Sequence, residues 1–295
     1  MYAQFFGTFL LSHNVVTKDQ LLSALGKKSS QHMKLGTLAI MKGYMTANEV
    51  DNVIISQTHN DCRFGDLAVR EGYLTQEQVD ELVKTQYPDF LLLGQTLVDE
   101  GYITNTQLET LIADYESENK LTDLDYSNEK QDDLDRILAN FFHSTDVAAD
   151  EYNASYMRLL FNDLTRFIGD DFTPLCFNPC KEYPVNYCVS QAIHGDLSAK
   201  VYLDMPETTC ISFASRYVNE EFTEFDEYVQ ASLEDFLNLH NGLYNVNISN
   251  TLGKELTLEA PEVVSDELIE LSGSSYLLQV MYPFGVINFI FELKK

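Results

Sequence analysis

Along residues 5–115 the apolar positions recur with a fixed period. Gly7, Gly36, Gly65 and Gly94 stand 29 residues apart, and Thr17, Thr46, Thr75 and Thr104 keep the same spacing. Three residues after each threonine comes Gln20, Glu49, Gln78 or Gln107. That predicts four capping boxes, in which the threonine hydroxyl accepts from an early helical N–H and the Glu/Gln side chain returns to the N–H of the cap. Behind each cap the pairs Leu21/Leu25, Val50/Ile54, Val79/Val83 and Leu108/Ile112 share one helical face. Before each cap runs a short apolar stretch, such as Leu38-Ala39-Ile40 or Leu67-Ala68-Val69. It closes at Gly43, Gly72 or Gly101, where a left-handed residue would end a short first helix. The first repeat has Asn14 there. Each unit reads as a helix-turn-helix pair that cannot bury its apolar face alone, so the four should stack into an all-α module.

Beyond residue 116 the pattern changes. Glu116 to about Asp135 is polar and acidic, a linker by composition, and Leu134, Ile137, Leu138, Phe141 and Phe142 fit a short amphipathic helix. Residues 151–169 read as a helix, with Tyr156, Leu159, Leu160, Asp163, Leu164 and Phe167 at helical spacing. Six alternating or β-branched runs are strand candidates: Val185 to Ile193, Leu197 to Met205, Thr209 to Tyr217, Glu255 to Val264, Tyr276 to Tyr282 and Val286 to Leu293. Pro283-Phe284-Gly285 should turn the last two into a hairpin. Between the strands, Phe225 to Val246 predicts one long helix with Phe225, Val229, Leu233, Phe236, Leu237, Leu243 and Tyr244 on its buried face. Asp235 and Asn238 then fall on the opposite face, one turn apart and presented to solvent. The expected organisation is a helical repeat module over 1–116, an acidic linker over 117–149, and an α+β domain of long helices on a mainly antiparallel sheet over 150–295.

Charge sharpens this division. The formal net charge is −27, yet residues 1–86 carry 8 Lys/Arg against 9 Asp/Glu, and the rest 11 against 37. So acidic a second half repels a phosphate backbone and excludes nucleic acid, while local cations leave room for a small anion in the first third. No apolar run reaches the roughly 18 residues of a membrane span, and Met1 to Leu11 lacks a basic n-region. A cytoplasmic protein with neither signal peptide nor membrane insertion is therefore expected. Five cysteines (Cys62, Cys176, Cys180, Cys188 and Cys210) without a CxxC pair argue for reduced, mostly buried thiols and no metal. The six histidines make no ligand spacing, His240 sits on the apolar side of the long helix as a satisfied core residue, and no Walker A sequence occurs.

The middle two repeats resemble the MshEN domain. They read Lys34-Leu35-Gly36-Thr37-Leu38-Ala39-Ile40 through Gly43 and Gln57, then Arg63-Phe64-Gly65-Asp66-Leu67-Ala68-Val69 through Gly72 and Gln86. That family uses RLGxxLVxxGxLxxxxLxxALxxQ twice with a five-residue spacer, and Thr58 to Cys62 supplies one here. The resemblance implies binding of cyclic di-GMP by Lys34, Leu35, Gly36, Gly43 and Gln57 of one motif and Arg63, Phe64, Gly65, Gly72 and Gln86 of the next. Phe5 and Leu92 at the basic position, and Lys28 and Tyr115 at the glutamine position, set the outer repeats apart. A second reading, drawn from the related amino-terminal domains of secretion and pilus ATPases, is a docking module without a nucleotide.

Asp235-Phe236-Leu237-Asn238-Leu239-His240-Asn241-Gly242 resembles the ExxNxxxG helix of the CheC/CheX chemotaxis phosphatases, and Pro261 follows Asn238 at the family's distance. The resemblance implies a response-regulator receiver as partner. Asp235 and Asn238 would act as the catalytic pair on its aspartyl phosphate, any Mg would belong to the receiver, and a homodimer would form through a sheet edge. Aspartate stands where the family has glutamate, shorter by roughly one C–C bond. The expected function is therefore a cyclic di-GMP-responsive signalling protein whose CheX-like domain binds or dephosphorylates a receiver. A non-catalytic adaptor joining a pilus, secretion or chemotaxis assembly to a regulator is the alternative.

Overall fold

All four threonine caps form in the computed structural model, which describes residues 2–28, 30–87, 89–118, 138, 141, 151–175, 178–271 and 274–294. Eight helices alternate as four pairs: α1 (Tyr2–Ser12) with α2 (Lys18–Lys28), α3 (Leu35–Met41) with α4 (Ala47–Gln57), α5 (Phe64–Arg70) with α6 (Gln76–Lys84), and α7 (Asp89–Asp99) with α8 (Asn105–Glu118). At the first cap, Gln20 N donates to Thr17 Oγ1 at 3.3 Å and Thr17 N donates to Gln20 Oε1 at 2.9 Å. Thr46, Thr75 and Thr104 repeat that exchange with Glu49, Gln78 and Gln107. The helix before each cap ends in the left-handed region, at Gly43 (φ 66°), Gly72 (82°) and Gly101 (72°), and Asn14 (54°) does the same in the first repeat. Asparagine is among the few side chains that tolerate this conformation, so the departure in sequence is not one in backbone. The chain divides into two units, Met1–Ile137 and Leu138–Lys295. In the first, Phe6 and Phe90 of the outer repeats meet at 5.1 Å, and Tyr115 stands edge-on to both at 5.1 and 5.6 Å.

The predicted acidic linker and amphipathic segment fall almost wholly outside the described residues, as does Cys176. Leu138 and Phe141 are described and buried. Of the remaining cysteines, Cys188 and Cys210 are buried, whereas Cys180 is half-buried and Cys62 exposed, fewer buried thiols than expected.

The second unit opens with α9 (Glu151–Asp163), which runs on as a π-helical turn over Leu164–Ile168. Its antiparallel sheet has the order β1 (Thr173–Pro174), β9 (Ser274–Tyr282), β10 (Gly285–Lys294), β5 (Ser198–Met205), β4 (Tyr187–Gly195), β6 (Leu256–Leu258). β2 (Asn178–Pro179) pairs with β9, and β7 (Glu262–Ser265) with β4. Pro283 and Phe284 form the turn of the β9–β10 hairpin, where Gly285 pairs with Tyr282. A ribbon of β3 (Glu182–Pro184) and β8 (Leu268–Glu270) brings Tyr183 and Ile269 onto Cys188, Tyr202 and Ile290. It is fastened by the Asp204 carboxylate, which accepts from Asn186 N at 2.7 Å and Tyr183 Oη at 2.9 Å.

Three sequence readings need correction. Thr209 to Tyr217 is not a strand but the body of α10 (Glu207–Val218). Its buried residues Thr209, Cys210, Phe213 and Ala214 follow helical spacing, and Pro206, at the N-cap, starts it. The alternation of Ile211, Phe213 and Tyr217 with small polar residues is incidental. Glu255 to Val264 is two strands rather than one, interrupted at Pro261. The long helix, α11 (Glu227–Leu252), starts after the half-buried Phe225 and ends later than expected, and Leu243 is exposed rather than part of its buried face.

Candidate functional site

α11 is built to hold one face down and one up. The Asp226 side chain caps it by accepting from Tyr228 N and Val229 N, both at 3.0 Å, and Gly253 (φ 63°) ends it. Val229, Leu233, Phe236, Leu237, Tyr244 and Ile248 are buried beneath it. Removing any such apolar side chain from water is worth about 1.5–3 kcal/mol, so the rotation of the helix is fixed by its underside. The opposite ridge runs Tyr228, Ala231, Asp235, Asn238, Gly242, Val246. Asp235 and Asn238 are exposed at its centre, between the uncovered side chains of Tyr228 and Val246. A Cβ on Gly242 would meet nothing within 4 Å, so no internal contact asks for glycine there.

Both central side chains reach solvent, yet neither hangs free. Tyr217 Oη on α10 donates to Asp235 Oδ2 at 2.6 Å. Burial raises the Tyr217 phenol, and so does its bond to Asp235, which keeps it a donor. Asn238 Oδ1 accepts from Nε2 of the fully buried Gln191 on β4 at 2.8 Å. Gln191 Nε2 also donates to the Glu259 carbonyl at 2.8 Å, Asn241 Nδ2 donates to Gln191 Oε1 at 2.8 Å, and Tyr156 Oη donates to Asn241 Oδ1 at 2.7 Å. The Glu259 carbonyl is available because of a bulge. Ser190 pairs with Glu262 and Ile193 with Leu258, so three residues including Pro261 face two on β4.

Glu234, next to Asp235, is half-buried, and burial followed by its charge pushes the Tyr187 phenol up to about 12. His240 is buried, with Nδ1 2.7 Å from Asp163 Oδ2 and Tyr156 edge-on at 4.6 Å. Burial lowers its pKa against the opposing pull of Asp163. Its Nε2 has no hydrogen-bond partner among the described residues, so the side chain is satisfied at one nitrogen only.

In the first unit a cavity of about 360 Å³ brings together Lys34, Leu35, Gly36, Gln57 and Phe64 from the predicted set. Its other wall comes from Gln95, Val98, Asp99 and Asn105, which sequence reading did not mark. Lys34 is exposed, but its backbone N–H donates to Gln95 Oε1 at 2.6 Å and its ammonium pairs with Asp99. Gln57 Nε2 donates to the Cys62 carbonyl at 2.9 Å. Gly36 and Gly65 are packing glycines: a Cβ on Gly36 would stand 2.8 Å from Val50 Cγ1 and 3.1 Å from Phe64, and one on Gly65 would stand 3.1 Å from both Leu35 and Val79. Gly43 and Gly72 are exposed helix ends, away from the cavity. Arg63 and Gln86 are exposed outside it.

Residues 187–285 match the family model described as chemotaxis phosphatase CheX. Solved structures similar to part of this chain include a CheX from Desulfovibrio desulfuricans, 12% identical over 49% of this chain and 100% of that one, with a TM-score of 0.43. A CheC-like protein from Shewanella sp. PV-4 is 16% identical, covering 49% and 97%, with a TM-score of 0.43. The CheX of a complex with CheY, BeF3 and Mg2+ from Borrelia burgdorferi is 15% identical, covering 49% and 99%, with a TM-score of 0.41. No curated protein matches. By the family match, residues 187–285 of the second unit are CheX-like, and that span contains Asp235, Asn238, Gln191 and the bulge at Pro261.

Proposed function

We propose that the α11 ridge enters the phosphorylation site of a response-regulator receiver and speeds loss of its aspartyl phosphate. One observation carries the reading: Asp235 and Asn238 stand side by side at the exposed centre of a helix whose rotation is fixed from below. The receiver would bring the phosphoryl group and its Mg, and this chain the groups that place water. Water attacks phosphorus in line with the bond to the receiver's aspartate. That P–O bond breaks, giving the aspartate carboxylate and inorganic phosphate, which keeps both protons of the water. Little covalent work falls to α11; its contribution is positioning. Asn238→Ala should abolish the acceleration in a receiver dephosphorylation assay while leaving the chain folded, and undiminished turnover would remove the enzymatic reading.

A binding-only reading has its own support, because Asp235 is shorter than the glutamate of the family and is held by Tyr217. In that case a phosphorylated receiver binds with unaltered lifetime. Clear acceleration by the wild-type chain would sink it.

The middle repeats are proposed as the cyclic di-GMP sensor, supported by an apolar face that the outer repeats bury. Ile54 and Val83 are 44% and 72% exposed, whereas their equivalents Leu25 and Ile112 are 4% and 5% exposed. Asp99 neutralises Lys34 in the repeat-two cavity and opposes an anion there, so Arg63, whose planar fork suits phosphate or a guanine edge, is the better anchor. Calorimetric titration should give micromolar or tighter binding that Arg63→Ala removes. No heat of binding would leave the repeats as the docking module of an adaptor.

A further inference from the structure

An exposed asparagine ordinarily presents either end of its carboxamide, since a half turn about the last bond exchanges donor for acceptor. Asn238 has no such freedom. The Glu259 carbonyl is a backbone oxygen and can only accept, so the Gln191 atom 2.8 Å from it must be Nε2. The same NH2 group reaches Asn238 at 2.8 Å and therefore meets Oδ1. From the far side, Gln191 Oε1 requires a donor and finds Asn241 Nδ2 at 2.8 Å, which leaves Asn241 Oδ1 to accept from Tyr156 Oη at 2.7 Å. Reversing Gln191 would set its oxygen against the Glu259 carbonyl and Asn238 Oδ1 and its NH2 against Asn241 Nδ2, and reversing Asn238 or Asn241 would set like against like at its contact with Gln191. Gln191 and Asn241 are fully buried, where no water could repair such a mismatch.

We infer that Gln191 and Asn241 are positioning residues that hold Asn238 with its NH2 group turned outward, so that the ridge meets its partner as a hydrogen-bond donor. The group it would meet is an acceptor, the oxygen of the attacking water or of the phosphoryl group. The inference rests on the proposed reading that Asn238 acts on a phosphorylated receiver. It adds that the catalytic geometry is set by β4 and the bulge, and not by α11 alone.

The test uses the full chain and a phosphorylated receiver. Gln191→Met keeps length and burial but removes the donor. It should lower kcat by about tenfold to a hundredfold, the scale of a misplaced catalytic group, while KM for the receiver stays within about twofold. Added to Asn238→Ala, it should cost nothing further. Should Gln191→Met destabilise the fold, Asn241→Leu, which is of similar size and cannot donate to Gln191 Oε1, is read in the same way. An unchanged kcat in both single variants, or an equal loss with and without Asn238, overturns the inference while leaving the phosphatase reading intact. If Asn238→Ala itself leaves turnover unchanged, the phosphatase reading falls and side-chain amide exchange still decides the orientation. The Gln191 NH2 should be protected from solvent exchange and that of Asn238 not; the reverse overturns the inference.

Discussion

The outer and middle helical repeats share a period, four capping boxes and a left-handed helix end, and differ in what lies over one face. In the outer pair, Phe6 and Leu93 are buried at the position after the basic residue and Tyr115 fills the glutamine position of the last repeat. In the middle pair Leu35 and Phe64 are half-buried, and Ile54 and Val83 reach solvent. A repeat therefore specifies a helix pair, while a handful of substitutions decides whether its face becomes core or surface.

The largest effect should come from the outer face. Phe6→Ala deletes a fully buried ring and should cost about 3–5 kcal/mol in a urea melt, against less than about 0.5 kcal/mol for Val83→Ala. Equal losses would mean that both faces are covered and would end the comparison. Next come Gly36→Ala and Gly94→Ala. The new methyl would stand 2.8 Å from Val50 Cγ1 in the first and 2.5 Å from Leu108 Cδ1 in the second, so each should cost about 1–3 kcal/mol. If Gly36→Ala instead left stability intact and removed only cyclic di-GMP binding, that glycine would be kept for a ligand and not for packing. Third, Thr46→Ala and Thr104→Ala should each lose about 1 kcal/mol, middle and outer alike, because the caps are common to both. The smallest effect is expected at Asp99→Asn. Freeing Lys34 of its counter-charge should tighten binding of an anionic ligand to the middle repeats by about twofold to fivefold in calorimetry, more at low salt.

The helix starts of the first unit were legible in sequence because a capping box is local, spanning four residues. What lay over each face was not: the Lys34–Asp99 pair joins residues 65 apart. In the second unit the α11 ridge could be placed from helical periodicity, and Thr209 to Tyr217 was misread because Ile211, Phe213 and Tyr217 satisfy a period of two as well as lying on a helix. Gln191 and Asn241 gave only a weak signal, a carboxamide inside the apolar run Val189 to Ile193 and another on the underside of a helix. Sequence marks such a residue as polar and buried, but its partners come from three separate elements and only the fold names them.

The bulge at Pro261 shifts the alignment of everything after it by one residue. Without the extra residue, Ser190 would face Pro261 in place of Glu262, and each side chain from there to Ser265 would exchange the inner for the outer side of the sheet. The setting of Asn238 thus depends on a count of residues in a strand of which it is not part. A deletion anywhere in Glu259–Pro261 would leave every ridge side chain in place and unlatch the one at its centre.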